Sequence, residues 1–340
     1  MSERKVFYSA ADHGGCAYYR MYLPFAYVKK EEGWNCMYSY NTNPVSDDEV
    51  IKKILDTNTD LVILQRKWDR KLLKVIDAVR EKGVRVAYEL DDNIWDMPFY
   101  NPNAKEWTED RIVQAEEIMN ACDAIITSTV KLKSQIETKL VGVPVYVIPN
   151  YVEKVIFKKP DYRIDKLRVG WAGGDNHIVD FTAQVNASLR KVKEKNDIDL
   201  VCFGFIPKTL IGYARKVEPV DCDKYLPMLN YLNFDIGFIP CSKIRFNLCR
   251  SNVKFLEYSM VGIPTVASDV IPYRDVYEYD HEMISLVEDP EEWTEKIEEL
   301  IKDERRRQKM VGKAQKFVAE NYLIEDKINT ILETYEEILQ

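Results

Sequence analysis

The sequence predicts an α/β protein built from two doubly wound domains, each a parallel sheet with helices on both faces. Three observations lead there. Short apolar runs of strand type alternate with helical patterns through the first half. The alternation restarts after residue 166, and in each half the first strand runs into a pair of glycines. At 340 residues the chain is large for one core. It suits two domains of roughly 150 residues each.

In the first half, Lys5–Ser9, Asn35–Tyr40, Asp60–Leu64, Val84–Tyr88, Ala124–Ile126 and Val143–Ile148 read as strands. Helical patterns lie near 17–32, 46–56, 68–82, 107–121 and 129–139. Alternation of this kind gives parallel strands joined by helical crossovers. Residues 149–166, with scattered charges, prolines and weak periodicity, read as a linker between a first domain, 1–150, and a second, 151–322. In the second domain Leu167–Trp171, Ile198–Phe203, Phe234–Ile239, Thr265–Ala267 and Met283–Leu286 are the strand candidates. From about Pro290 the chain is strongly helical, and no repeat or low-complexity segment interrupts it. Two such domains facing each other bring strand C-termini, and hence ligands, to the cleft between them.

Composition narrows the class. A hydrophobic content of 46% with 31% charged residues is that of a soluble globular protein. The net charge of −8 opposes a whole-surface attraction to nucleic acid, though not a local basic patch. Seven cysteines, odd in number and without a CxxC pair, fit a reducing cytosol better than a disulfide framework or a zinc site. The N-terminus is charged and runs directly into a strand, unlike a signal peptide. No apolar run approaches the ~20 residues needed to span a bilayer. The expectation is a cytoplasmic protein with no integral membrane segment, any membrane contact being peripheral.

The most informative stretch runs from Phe234 to Ser268. Its middle holds a helix with Ser251 as predicted N-cap and Val253, Leu256 and Met260 on one face. A first helical turn normally favours acids, because its free N–H groups leave it partly positive. Here Arg250 and Lys254 stand there instead, which makes sense if an anion such as a diphosphate binds. Glu257, one turn on, can then accept both hydroxyls of a ribose beside that anion. The plain alternative is a solvated Lys254–Glu257 pair worth a few tenths of a kcal/mol.

Other groups stand at strand exits. Gly14 and Gly15 follow the first strand, where glycine lets the backbone turn tightly and approach a ligand. Gly173 and Gly174 follow the first strand of the second half, with Asp175 as predicted N-cap. No lysine or arginine follows there until Arg190, so His177 is the nearest cation candidate. Asp91, Asp92 and Asp96 follow Val84–Tyr88 and can point into the cleft. They can bind acceptor hydroxyls, hold a divalent cation, or merely cap a loop. Lys67, Arg70, Lys71 and Lys74 fall on one predicted helical stripe, either a solvated face or a contact for an anionic membrane or phosphate backbone.

The run from Phe246 to Ser268, FNLCRSNVKFLEYSMVGIPTVAS, resembles the nucleotide-sugar signature of retaining GT-B glycosyltransferases of the group 1 type. The resemblance implies a GT-B-like fold of two Rossmann-like domains, the first facing the acceptor and the second binding the nucleotide sugar. It also implies a last segment, 323–340, that crosses back to the first domain. Glu257 matches the family's ribose-binding glutamate, whereas the partner glutamate eight positions earlier would fall on Cys249. On the donor side the resemblance places Gly14, Gly15, Gly173, Gly174, His177, Asn247, Ser251, Asn252, Lys254 and Glu257, with Arg20 as a charge clamp. Arg250 and Lys254 would stabilise the leaving diphosphate while Asp91 and Asp92 position the acceptor. His13 is the only histidine of the first half, so the role of the family's first-domain histidine is unassigned or taken by Asp92. No metal and no cofactor is implied beyond a nucleotide-diphosphate sugar as co-substrate. The acceptor would be a hydroxyl of a glycan, a lipid-linked sugar or a small molecule. Three alternatives stay open. One is transfer to a hydroxylated base in DNA, as compact GT-B enzymes of viruses do. Another is a metal-dependent GT-A-type transferase built on Asp91 and Asp92. The third is a catalytically silent sugar-nucleotide-binding module.

Overall fold

A computed structural model describes residues 3–40, 47–154 and 166–340. The centre of the predicted linker, 155–165, and the start of the helical pattern near 46 lie outside the described residues. Six strands form the first sheet: β1 (Arg4–Ser9), β2 (Trp34–Ser39), β3 (Leu61–Gln65), β4 (Arg85–Leu90), β5 (Ala124–Thr127) and β6 (Val145–Val147), in the order β2-β1-β3-β4-β5-β6. Six more form the second: β7 (Leu167–Gly173), β8 (Ile198–Gly204), β9 (Arg215–Val217), β10 (Ile236–Ile239), β11 (Thr265–Ser268) and β12 (Ile284–Val287), in the order β12-β11-β10-β7-β8-β9. Every pairing is parallel. These are the two doubly wound, Rossmann-like domains expected. Two separate parallel sheets also overturn the alternative of a GT-A fold.

The strand order reverses beside β1 in the first sheet and beside β7 in the second. Those are the switch points at which open α/β sheets bind ligands. Each sheet is buried on both faces, which is why its strands read as continuous apolar runs. On one face of the first sheet, Val6, Tyr8 and Ile63 pack against Met21 and against Ile324, Ile328, Ile331 and Tyr335 of the last helix, Ile324–Leu339. An Arg4–Glu336 ion pair at 3.1 Å and a β-bridge between Val152 and Leu323 accompany that helix.

Three local expectations fail for definable reasons. Strand β9 was not read from sequence; it is three residues long, an exposed edge, and two of the three are cationic. The helix after β10 is Val253–Met260 and its N-cap is Asn252 rather than Ser251, while Gly174 rather than Asp175 caps the short helix Asp175–Asp180. The basic stripe does not form, because the helix after β3 starts at Lys71, and Lys67 and Arg70 precede it. Lys67 turns inward and donates to the Ala10 carbonyl at 2.8 Å, where burial lowers its pKa to about 8. Arg70 pairs instead with Glu117 at 2.5 Å. Among the described residues no helix is long and apolar enough to cross a membrane.

Candidate active site

The strand C-termini of both sheets open onto one cleft of about 420 Å3. Its second-domain wall is formed by Gly173, Gly174, His177, Arg250, Ser251, Lys254 and Glu257. The first domain contributes Gly15, Cys16, Tyr18, Tyr19, Asp91 and Asp92. The helix after β1 carries a π-type turn, Tyr18–Tyr22, and the wider turn lets the adjacent Tyr18 and Tyr19 both reach the cleft.

Lys254 is 9% exposed and its Nζ donates to the Ala172 carbonyl at 2.7 Å. Burial lowers its pKa. Gly173 makes room for that reach, since a Cβ there would lie 2.8 Å from Lys254 Nζ and 2.7 Å from the Trp171 ring. Arg250 stands 3.5 Å from Asp180 and 3.1 Å from Nδ1 of His177. The same Nδ1 is 3.0 Å from Asp180, and the ring nitrogen can serve only one of the two at a time. Burial, with Arg250 and Lys254 nearby, pushes His177 down to about 3, so the ring is neutral and not itself the cation of this wall. Burial would raise Asp180, yet His177 and Arg250 hold it below its ordinary value.

Glu257 is buried, and its carboxylate accepts from Tyr19 at 2.9 Å and from Tyr225 at 3.1 Å. Burial raises its pKa. Two phenols leave further lone pairs on a carboxylate that has about four. The solvated surface pair of Lys254 and Glu257 is therefore ruled out, both side chains being inside the cleft wall.

Opposite lie the aspartates. Asp91 is 9% exposed, and among the described residues its Oδ1 has no hydrogen-bond partner, with Arg66 Nε 3.7 Å away. Burial and the neighbouring Asp91 raise Asp92 to about 6. Donor atoms of Cys16, Asp91 and Asp92 lie within 4.8 Å of one another, a set able to hold a divalent cation. The Arg66 guanidinium beside Asp91, however, already answers part of that negative charge. Asp96 turns away, accepting from Asn93 at 2.9 Å.

Several predicted residues do not reach the cleft. Arg20 is buried and firmly held: it donates to Glu89 at 2.6 Å, the Ile148 carbonyl at 2.5 Å and Asn150 at 3.1 Å. It is fold glue, not a charge clamp. Gly14 is exposed and donates its N–H to Asp12, leaving Gly15 alone on the lining. Asn247 is wholly buried, donating to Asp180 at 2.7 Å and to the Ser242 carbonyl at 2.9 Å. Asn252 caps its helix and donates to Tyr322 at 3.4 Å. His13 is exposed with its ring on Tyr40.

Cys249, where the resemblance expects a glutamate, belongs to the first domain's apolar core with Leu90 and Ile94. Its carbonyl accepts from Thr129 at 2.9 Å, and Ser251 accepts from Asn150 at 2.7 Å. The turn carrying Arg250 is thus gripped from the other domain. A glutamate could not sit in that apolar socket without losing its charge or its hydration.

Sequence reading missed Arg66, Tyr19, Tyr225, Asp180 and Asn150. Only Arg66 had a local trace, in the Gln65-Arg66-Lys67 run. It adopts a left-handed φ of 48°, pairs with Asp12 at 2.5 Å, and lies at the end of β3.

Residues 186–333 match the glycosyl transferase-like family. Solved structures share the architecture over essentially the whole chain. Sucrose-phosphate synthase from Thermosynechococcus elongatus superposes with a TM-score of 0.71 at 12% identity, covering 99% of each chain. A glycosyltransferase from Rickettsia africae gives 0.69 at 12% identity, with 100% of each chain covered. Anabaena HepE, in complex with UDP and glucose, gives 0.68 at 13%, covering 98% of this chain and 99% of that one. No curated protein matches the chain in sequence. Identities this low show the fold alone, the two-domain architecture of GT-B glycosyltransferases. The glycosyl transferase-like match covers most of the second domain, the half that carries Arg250, Lys254 and Glu257.

Proposed function

We propose that the chain moves a sugar from a nucleotide-diphosphate donor to an acceptor hydroxyl, the donor lying on the second domain and the acceptor on the first. The observation that carries this reading is the convergence of Arg250, Lys254, Gly173 and Gly174 on one wall of the cleft, opposite Asp91 and Asp92. A buried lysine and a partly buried arginine, with glycine backbone beside them, suit the charge that grows on a departing diphosphate. Serving that charge does not require a metal or a further cofactor. Glu257 is placed to accept from a ribose, sharing its carboxylate with Tyr19 and Tyr225.

Asp91 and Asp92 orient the acceptor hydroxyl, with Arg66 fixing Asp91. Retention of configuration follows the resemblance and needs no protein nucleophile, the leaving phosphate taking the acceptor proton. A second reading rests on Asp92: a carboxylate with a pKa near 6 suits a general base. Base catalysis from the first domain would invert the anomeric centre. The anomer of the product, read by NMR, separates the two.

The HepE structure holds UDP and glucose, which makes uridine nucleotides the first probes. A thermal-shift screen of UDP, GDP and ADP and their sugars tests the donor assignment, since a ligand of the native state raises apparent stability. No shift with any of them, together with no donor hydrolysis, would favour the silent binding fold or a different ligand. The collapse of the basic stripe removes its support for a DNA acceptor.

A further inference from the structure

The first-domain rim of the cleft carries a row of aromatic rings that the site chemistry leaves unused. Tyr18 lines the cleft, and its ring stacks on Tyr22 at 5.7 Å and 25°. Tyr22 meets Tyr38 of β2 edge-on at 5.9 Å, and Tyr38 meets Tyr40 at 6.1 Å. Tyr40 in turn packs on the ring of His13 at 3.9 Å. The row returns to the cleft there, because the His13 carbonyl accepts from the thiol of Cys222, a lining residue, at 3.4 Å. Tyr22 is 45% exposed and Tyr40 50%, so the outer rings stand in solvent. A contiguous exposed aromatic surface joined to a cleft at both ends marks a binding site.

The chemistry of the row selects its occupant. Tyrosine offers a rigid apolar face with a hydroxyl at its edge, at low cost in conformational entropy. That pairing matches a sugar ring, whose C–H face is apolar and whose rim is hydroxylated. Bases of single-stranded nucleic acid also stack on aromatic rings, but such sites add a positively charged groove that tracks the backbone. Here the acidic neighbours stand at both ends of the row. Tyr18 donates to Glu153 at 2.8 Å, and Asp221 and Asp223 flank Cys222. Asp12, beside Tyr38, is held by Arg66, and Lys29 and Lys30 cover Phe25 and Tyr27 outside the row.

We propose that Tyr18, Tyr22, Tyr38, Tyr40 and His13 form the docking platform for a neutral oligosaccharide acceptor, whose sugar rings lie along the row while one terminal hydroxyl enters the cleft toward Asp92. The proposal rests on the glycosyl-transfer reading and narrows its acceptor to an uncharged glycan several rings long. Calorimetry on the whole protein tests it, with maltopentaose, cellopentaose, chitopentaose and a ten-residue oligo-dT as probes. A neutral pentasaccharide binds the parent and loses affinity about tenfold in Tyr22→Ser/Tyr40→Ser, two lost ring contacts. UDP binding stays unchanged, because neither ring lines the cleft, and it reports a folded variant even though both rings also pack on Tyr18, Tyr38 and His13. Failure of all three pentasaccharides to bind the parent overturns the platform. So does equal binding by parent and variant, or binding of the oligonucleotide alone. UDP titrated into the same samples keeps the readings apart. A parent that binds glycan but no nucleotide sinks the transfer reading while the platform stands.

Discussion

Arg20 and Arg250 are both largely shielded from solvent, and they do opposite work. Arg20 is firmly held inside its domain, donating to Glu89, Asn150 and the Ile148 carbonyl, with side chains of Arg20 and Glu89 only 3% and 2% exposed. Arg250 is loosely held, 3.5 Å from Asp180 and sharing one ring nitrogen of His177, and it lines the cleft. A guanidinium has five N–H donors, so what decides its role is whether they face a ligand site or are turned onto the protein. Shielding of a cation from solvent says little by itself. Arg20 turns its bonds onto its own domain, away from the cleft, whereas Arg250 lines it.

The largest effect is expected where the buried Arg20–Glu89 pair is broken. Arg20→Ala leaves Glu89 buried without its partner, which costs about 3–5 kcal/mol. Denaturant unfolding measures it, and a loss below ~1 kcal/mol would remove Arg20 from the structural class. Should that variant fail to fold, Arg20→Met with Glu89→Leu keeps the comparison open. Replacing both charges by apolar groups of similar size restores most of the stability.

Breaking the other arginine should touch binding more than folding, because Asp180 still accepts from the Ser242 N–H and from Asn247 when Arg250 is gone. Arg250→Ala and Lys254→Ala each remove a charge-assisted contact worth roughly 1.5–3 kcal/mol. Nucleoside diphosphate affinity should fall about 10- to 150-fold, with bare nucleoside affinity nearly unchanged. Equal losses for both ligands would move Arg250 and Lys254 to the side of Arg20.

Part of this arrangement was readable in the sequence. Alternating apolar runs located eleven of the twelve strands among the described residues, because parallel strands buried on both faces leave an uninterrupted apolar signal. The Arg250–Glu257 turn was readable because its chemistry is local, packed into eight residues. Long-range contacts were not. Arg20 meets Glu89 69 positions away, and Ser251 spends its hydroxyl on Asn150, 101 positions away, not on capping its helix. Lys67 looked like surface charge, yet the chain turns at Arg66, whose left-handed φ no residue pattern announces, and Lys67 faces Ala10.

The aspartate pair extends the comparison to the acceptor side. Asp92→Asn should leave donor affinity within about threefold, some 0.7 kcal/mol, while transfer falls about tenfold or more. Asp92 is expected to act as the carboxylate, so parent activity should rise with pH through about 6 and lose that limb in the variant. The sign follows from burial, which favours the protonated form and moves the titration up. Donor affinity that collapses in Asp92→Asn, or that needs a divalent cation in the parent, would revive the metal-binding reading of Cys16, Asp91 and Asp92.

The smallest effect tests Glu257, an anion placed between the two arginine cases. Its oxygens already accept from Tyr19 and Tyr225, so it is held by protein partners like Arg20, yet it lines the cleft like Arg250. A ribose would add its hydroxyls to the remaining lone pairs. In Glu257→Gln one acceptor oxygen becomes an amide donor, so one phenol must turn and a ribose hydroxyl loses its partner. One neutral hydrogen bond is worth about 0.5–1.5 kcal/mol net. The preference of the parent for a ribonucleoside diphosphate over its deoxy counterpart should therefore shrink by roughly 2- to 12-fold. Calorimetry with UDP and 2′-deoxy-UDP reads it directly. If the variant prefers ribose as strongly as the parent, the tyrosines are the true partners of Glu257. It then belongs with Arg20 as a cross-domain fastener from Tyr19 to the second domain, and ribose is recognised elsewhere in the cleft.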